Sequence, residues 1–139
     1  AYKDVILTTD IIVGFPGETE EEFNQTYEFL KEIKFYKMHV FPYSPRRGTV
    51  AEKMPNQIDG NIKEERSKKL IELSNRNQEE YNKEYIGKKV EVLFEEKEGE
   101  FYKGHTQNYI VVKYKTDEQL ENIIKAVEIK KSSIDYIEA

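Results

Sequence analysis

Cysteine is absent from all 139 residues, which removes disulfides, thiolate catalysis, cysteine-held zinc and iron-sulfur ligation from what the chain can do by itself. Histidine is scarce too: His39 and His105 are the only two, too few for a histidine-rich metal site. No apolar run approaches the roughly 20 residues of a membrane-spanning helix, and nothing at the start has the pattern of a secretory leader. A soluble, intracellular setting is the expectation. Positive charge is not in excess either. The net charge is −5, and residues 86–139 carry nine lysines against eleven acids, close to −2 on their own. The chain therefore has no overall electrostatic footprint for nucleic acid, and any such contact must come from a local basic face. An initiator methionine is missing as well. The chain opens Ala1-Tyr2 and runs at once into a strand, so an excerpt of a longer polypeptide is expected.

What is present reads as two units. Val5 to Val13 alternates, with Ile6, Thr8, Asp10 and Ile12 on one face and Val5, Leu7, Thr9, Ile11 and Val13 on the other. Two largely apolar faces suit a buried parallel strand. Asp10 is the exception on its face, either satisfied by a neighbouring group or turned toward a ligand cavity. The strand ends in Gly14-Phe-Pro-Gly17, and Thr19 with Glu22 three residues on forms a capping box that opens a helix. Phe23, Tyr27, Leu30 and Ile33 recur at helical spacing as its packing stripe. Lys37 to Phe41 is a second strand, which completes a βαβ unit with the right-handed crossover.

Pro42-Tyr-Ser-Pro-Arg-Arg-Gly48 follows at that strand's carboxyl end, the edge where α/β folds bind ligands. The Gly14 to Gly17 turn belongs on the same edge, next to it. A long charged helix is predicted from about Ile62 to Tyr85, with a narrow stripe of Ile62, Leu70, Leu73 and Tyr81 and with Arg66 and Asn77 filling intermediate turns. From Ile86 the period becomes two. Val90, Val92 and Phe94 alternate with Lys89, Glu91 and Leu93, Lys97-Glu-Gly99 makes a hairpin turn, and Phe101–Gly104, Tyr109–Tyr114, Ile124–Ile129 and Ile134–Ile137 are further strands. Short strands at this density read as a small antiparallel barrel.

Taken in order, Thr9-Asp-Ile-Ile-Val-Gly-Phe-Pro-Gly-Glu-Thr-Glu-Glu-Glu-Phe23 and His39-Val-Phe-Pro-Tyr-Ser-Pro-Arg46 with Gly48-Thr49 and Ala51 resemble the closing portion of the radical-SAM methylthiotransferases. Glu65-Arg66-Ser67, Leu70, Leu73 and Ile86-Gly87-Lys88 resemble that family's helix and its passage into a TRAM domain. The strings His39-Val-Phe-Pro-Tyr-Ser-Pro and Gly104-His-Thr-Gln-Asn-Tyr-Ile110 are most similar to the MtaB branch, which thiomethylates threonylcarbamoyladenosine in tRNA. The resemblance implies that residues 1–75 are the last βα units of a radical-SAM barrel, 76–85 the end of a connecting helix, and 86–139 an OB-like TRAM barrel. It implies a cytoplasmic parent enzyme that uses SAM and [4Fe-4S] clusters held by cysteines this chain does not have, so that the chain alone is inactive.

On that resemblance the chain supplies a wall of the SAM and substrate cavity. Asp10, Gly14, Gly17, Tyr43, Ser44 and Arg46 are its cofactor-binding candidates, because glycine lets backbone approach a ligand and arginine offers a planar fork to carboxylate or phosphate. The plain alternative is that Pro16 and Gly17 only make a turn and Arg46 or Arg47 only pairs with surface acids. In the TRAM-like half, Lys89, Lys103, His105, Gln107, Asn108, Tyr109 and Lys113 are the tRNA-binding candidates, with Lys88 and Lys115 as further phosphate contacts. Exposed aromatic rings stack on unpaired bases, amides read base edges and lysines meet phosphate. Alternatively Tyr109 and Phe101 are core and Asn108 caps a turn. Asn122-Ile-Ile stands where such domains commonly have glycine, and asparagine can take the left-handed conformation. Glu95, Glu96, Glu98 and Glu100 crowd the first hairpin, which is expected to point away from RNA. Two other functions fit the residues: a non-catalytic RNA-binding protein, and a packing or dimerisation module.

Overall fold

The computed structural model describes residues 4–139. They form two compact units, one of Leu7–Asn77 and one of residues 4–6 with Gln78–Ala139.

In the first unit, β1 (Thr8–Val13) pairs in parallel with β2 (Lys37–Pro42), in a register that sets Asp10 beside His39 and Ile12 beside Phe41. Between them runs α1 (Glu20–Ile33). Its capping box is formed as predicted: the Thr19 hydroxyl accepts from Glu22 N–H at 3.1 Å, and the Glu22 carboxylate accepts from Thr19 N–H at 3.0 Å. Lys34 ends the helix in the left-handed region at φ 57°, its N–H returning to the Leu30 carbonyl. A single helical turn of 3-10 type (Ala51–Lys53) precedes α2 (Gly60–Lys83), whose last turns belong to the second unit.

Among the described residues only one face of the β1–β2 pair is covered. Val13 and Met38 pack with Phe23 and Leu30 of α1 and Leu70 and Leu73 of α2, flanked by Ile11, Val40 and Tyr27. On the opposite face Ile12 and Phe41 remain 59% and 52% exposed. The two apolar faces read from sequence are thus both real, but this chain buries one. Ile33, expected to pack, is the last residue of α1 and 38% exposed, and Ile62 near the start of α2 is also outside the core.

The second unit is a six-stranded sheet of β3 (Lys89–Glu98), β4 (Phe101–Thr106), β5 (Val111–Lys115), β6 (Ile123–Glu128), β7 (Lys131–Ser132) and β8 (Ile137–Glu138), in the order β6-β3-β4-β5-β8-β7. The predicted antiparallel set is modified in one place: β5 and β8 pair in parallel, Val112 with Ile137 and Lys113 with Glu138. The strand expected over Ile134–Ile137 is reduced to the two-residue β8, and the two-residue β7 was not expected from the sequence. Val92, Phe94, Tyr102, Ile110, Val112, Leu120, Val127, Ile129 and Ile137 are the buried core. The fully buried Asn82 on α2 donates to the carbonyls of Ser133 and Ile134 at 2.9 and 3.0 Å, which satisfies backbone that the short strands leave unpaired. Asn122 does adopt a left-handed φ of 59° and hands its N–H to the Phe94 carbonyl at 2.8 Å.

Candidate functional site

In the first unit the strand ends meet because β1 and β2 are in register up to Val13 and Pro42, and Tyr43 N–H then returns to the Val13 carbonyl at 2.8 Å. Gly14 and Gly17 both have positive φ, 72° and 87°, as a turn this tight requires. The turn is fixed from α2. Glu18 accepts from Gly14 N–H at 3.1 Å and from Arg66 Nη1 at 2.6 Å, and the same Arg66 nitrogen donates to the Glu18 carbonyl at 3.1 Å. Arg66 Nη2 reaches Glu20 at 3.2 Å, and the guanidinium lies 5.4 Å from the Phe23 ring. Arg66 is only 5% exposed, so these partners compensate the burial of its charge. One turn earlier Lys63 donates to the Tyr43 carbonyl at 3.0 Å and sits 5.7 Å from the Tyr43 ring. Two cations of α2 therefore hold both strand-end loops.

Beyond that scaffold, a cavity of about 580 Å³ opens on the uncovered sheet face, lined by Ile12, Phe41, Pro42, Tyr43, Ser44 and Arg46, with Thr49 and Ala51 completing the wall. Three of the six predicted cofactor residues, Tyr43, Ser44 and Arg46, are brought together here. Asp10 lies on the same strand face two residues from Ile12 and outside the cavity wall. Gly14 and Gly17 serve differently from each other. The space beside Gly14 is filled by the Lys63 side chain, whereas Gly17 has open space where a Cβ would stand and gives its N–H to the Asn56 carbonyl at 2.9 Å. The Tyr43 hydroxyl is buried without a hydrogen-bond partner among the described residues, and its ring meets Phe15 edge-on at 5.4 Å. Lys63 and Arg66 were not among the predicted site residues. A basic residue on the buried stripe of an otherwise solvated helix is the signal that marks Arg66.

In the second unit the seven predicted tRNA-binding residues fall into two groups. Lys103, His105 and Lys113 stand on the outward face of β4 and β5, and acids meet all three. Lys103 lies 3.2 Å from Glu98 and 3.6 Å from Glu96, Lys113 lies 3.9 Å from Glu98 and 4.6 Å from the Tyr136 ring, and His105 Nδ1 lies 3.1 Å from Glu95. Glu95, Glu96 and Glu98 of the acidic hairpin thus face three of the residues offered from sequence as RNA contacts. The register of β3 against β4 shifts between Phe94 and Glu96, and the bulge aims Glu95 across at His105. Gly104 is the residue that permits this: a Cβ there would fall onto the Leu93 carbonyl and within 2.8 Å of Phe94 Cα.

Lys89, Gln107, Asn108 and Tyr109 form the other group, around a cavity of about 670 Å³ that Tyr81, Tyr85 and Lys88 also line. Asn108 has a structural role in its turn. Its amide donates to the Asp4 carbonyl at 2.9 Å and to the Tyr85 hydroxyl at 3.0 Å, while its oxygen accepts from the Thr106 hydroxyl at 2.5 Å. Tyr109, by contrast, is 81% exposed. Phe101 is half-buried.

No family model matches the chain. Individual relatives do. It is 44% identical over 143 residues, 99% of its own length, to the threonylcarbamoyladenosine tRNA methylthiotransferase MtaB of Bacillus subtilis strain 168. The chain belongs with the tRNA methylthiotransferases. It is also 43% identical, over 84% of its length, to the tRNA-2-methylthio-N(6)-dimethylallyladenosine synthase of Acetivibrio thermocellus, and 40% identical over 94% to that of Aquifex aeolicus. The chain spans about a third of the Bacillus protein, 32%, and 25% and 30% of the other two. An iron-sulfur cluster does not fit its residues: cysteine is absent, and among the described residues no three His, Asp or Glu side chains are gathered to hold a metal. Nor, among the described residues, is any helix long and apolar enough to cross a membrane.

Proposed function

We propose that this chain is the C-terminal portion of a cytoplasmic radical-SAM enzyme that adds a methylthio group to C2 of N6-threonylcarbamoyladenosine in tRNA. The observation that carries the reading is the 44% identity to MtaB across 99% of the chain. The first unit then contributes the last βα elements of the catalytic barrel, and the second is an RNA-binding TRAM domain. The exposed face of Ile12 and Phe41 beside a polar strand-end loop supports the first assignment, since apolar surface there suits the plane of an adenine ring. SAM, when bound, supplies the radical and methyl chemistry. Within this chain Ser44 and Arg46 would hold its polar end, Arg46 by its planar fork, while Asp10 lies farther along the same face.

Lys63 and Arg66 act one layer behind, fixing the loops that carry those groups. The target nucleoside is read from the branch to which the His39 to Pro45 and Gly104 to Ile110 strings are most similar. Nucleoside mass spectrometry of tRNA from a strain lacking the full gene tests both points. Loss of the 2-methylthio form with retention of threonylcarbamoyladenosine is expected, and its restoration by the gene. Unchanged levels of every methylthioadenosine would sink the proposal; loss of the dimethylallyl derivative instead would move the enzyme to the sister branch.

A further inference from the structure

We infer that the cavity beside Tyr109 in the second unit is a receptor for one unpaired RNA nucleotide, whose base carries an exocyclic amino group. The inference rests on the RNA-binding reading of this unit and gives it a site. Its first support is backbone strain. Gln107, Asn108 and Tyr109 connect β4 to β5 in a tight hairpin closed by Thr106 N–H to Ile110 O and Tyr109 N–H to Thr106 O, both at 3.0 Å. The third residue of such a loop takes the left-handed conformation, where glycine is the usual occupant. Here it is a tyrosine at φ 65°, a costly choice for a bulky residue. The Thr106 and Asn108 hydrogen bonds hold the loop in that state, with the Thr106 hydroxyl also accepting from Ile110 N–H at 3.0 Å. The large ring gained by this strain is not spent on the core. It stands 81% exposed at a cavity rim, the arrangement of a stacking platform.

The second support is the cavity's chemistry. About 670 Å³ is within the range of small-ligand sites. Lys88 and Lys89 line it, and among the described residues neither has a carboxylate within ion-pair distance; Lys88 lies 5.5 Å from the Tyr85 ring. They are the free cations that Lys103 and Lys113 are not, and a phosphate is the group they suit. Asp4, Glu84 and Glu91 also line the wall. Carboxylates repel a backbone phosphate but accept from base amino groups, as Glu and Asp do from cytosine N4. That pairing of cations with acceptors selects adenine, cytosine or guanine over uracil.

The test uses the full-length enzyme, with short oligoadenylate, oligocytidylate and oligouridylate as probes, over a range of salt. Tyr109→Asn removes the ring while keeping a residue tolerant of the left-handed backbone, and is expected to weaken oligoadenylate binding about tenfold. Tyr109→Phe keeps the ring and should bind like the parent. Lys88→Ala with Lys89→Ala should flatten the dependence of log affinity on log salt by roughly 0.7 for each phosphate no longer neutralised. In the parent, oligouridylate should be the weakest probe, and Tyr109→Asn should shrink that difference. Equal affinity for all three probes, or a Tyr109→Asn enzyme that binds oligoadenylate as the parent does, overturns the inference. Intact tRNA separates this from the underlying reading. If tRNA affinity falls when residues 86–139 are removed yet ignores Tyr109→Asn, the cavity assignment alone fails; if it ignores both, the RNA-binding reading fails too.

Discussion

Gly14 and Gly17 share a sequence motif and a backbone sign, yet they answer to different physics. A methyl group at Gly17 would meet nothing within 4 Å, so Gly17→Ala carries only the left-handed backbone cost at φ 87°, about 1 kcal/mol. Gly14→Ala adds a collision with the Lys63 side chain, and overpacking of that kind costs a further ~1–3 kcal/mol. Thermal or urea unfolding should therefore rank Gly14→Ala clearly below Gly17→Ala, and equal losses would show that Lys63 moves aside freely. Arg66 offers a second residue-scale expectation. Arg66→Met leaves the Glu18 carboxylate with Gly14 N–H alone after loss of its 2.6 Å partner. Because Glu18 keeps some solvent access, the loss should sit near the lower end of the range for a broken buried pair, about 3 kcal/mol. A loss below about 1 kcal/mol would put the pair among ordinary surface bridges.

At the scale of the element, Tyr81 near the end of α2 supplies a pH test. Its phenol is held above the usual tyrosine value, first by burial and then by the hydrogen bond to Tyr85. The folded state thus favours the protonated ring, so the stability involved is complete below about pH 10 and is lost as pH rises past that value. Between about pH 9 and about pH 11 the parent chain should lose more stability than Tyr81→Phe does in urea melts; parallel losses would mean Tyr81 titrates as an exposed phenol. Elements also show what was readable beforehand. The capping box at Thr19 and Glu22 and the left-handed Asn122 depend on neighbours a few residues away, and local pattern was enough. Arg66 reaches Glu18 across 48 residues, and β5 joins β8 in parallel across the intervening strands. Neither pairing leaves a periodic trace. The strand-end cavity could be anticipated because parallel strands bring their carboxyl ends to one edge, while the pairing of Lys103 and Lys113 with Glu98 accompanies a bulge that no spacing rule announces.

For the molecule as a whole, a net charge of −5 gives no general field that would draw in RNA, so on the proposed reading the contact rests on local cations. Glu98 determines how many there are, since it faces both Lys103, at 3.2 Å, and Lys113, at 3.9 Å, while Lys103 also keeps Glu96 at 3.6 Å. The Lys103 ammonium is held above its ordinary pKa chiefly by its hydrogen bond to Glu98, so it stays charged but spent. Two opposed substitutions in the full-length protein follow from this. Lys103→Ala with Lys113→Ala should change tRNA affinity little, because the charges removed were already compensated. Glu98→Gln should free Lys113 and leave Lys103 with Glu96 alone, tighten tRNA binding at low salt and steepen its salt dependence by up to about 0.9 for each additional duplex phosphate neutralised. If instead the double lysine variant abolishes binding and Glu98→Gln leaves it unchanged, RNA breaks these ion pairs when it docks, and the outward face of β4 and β5 is its principal seat.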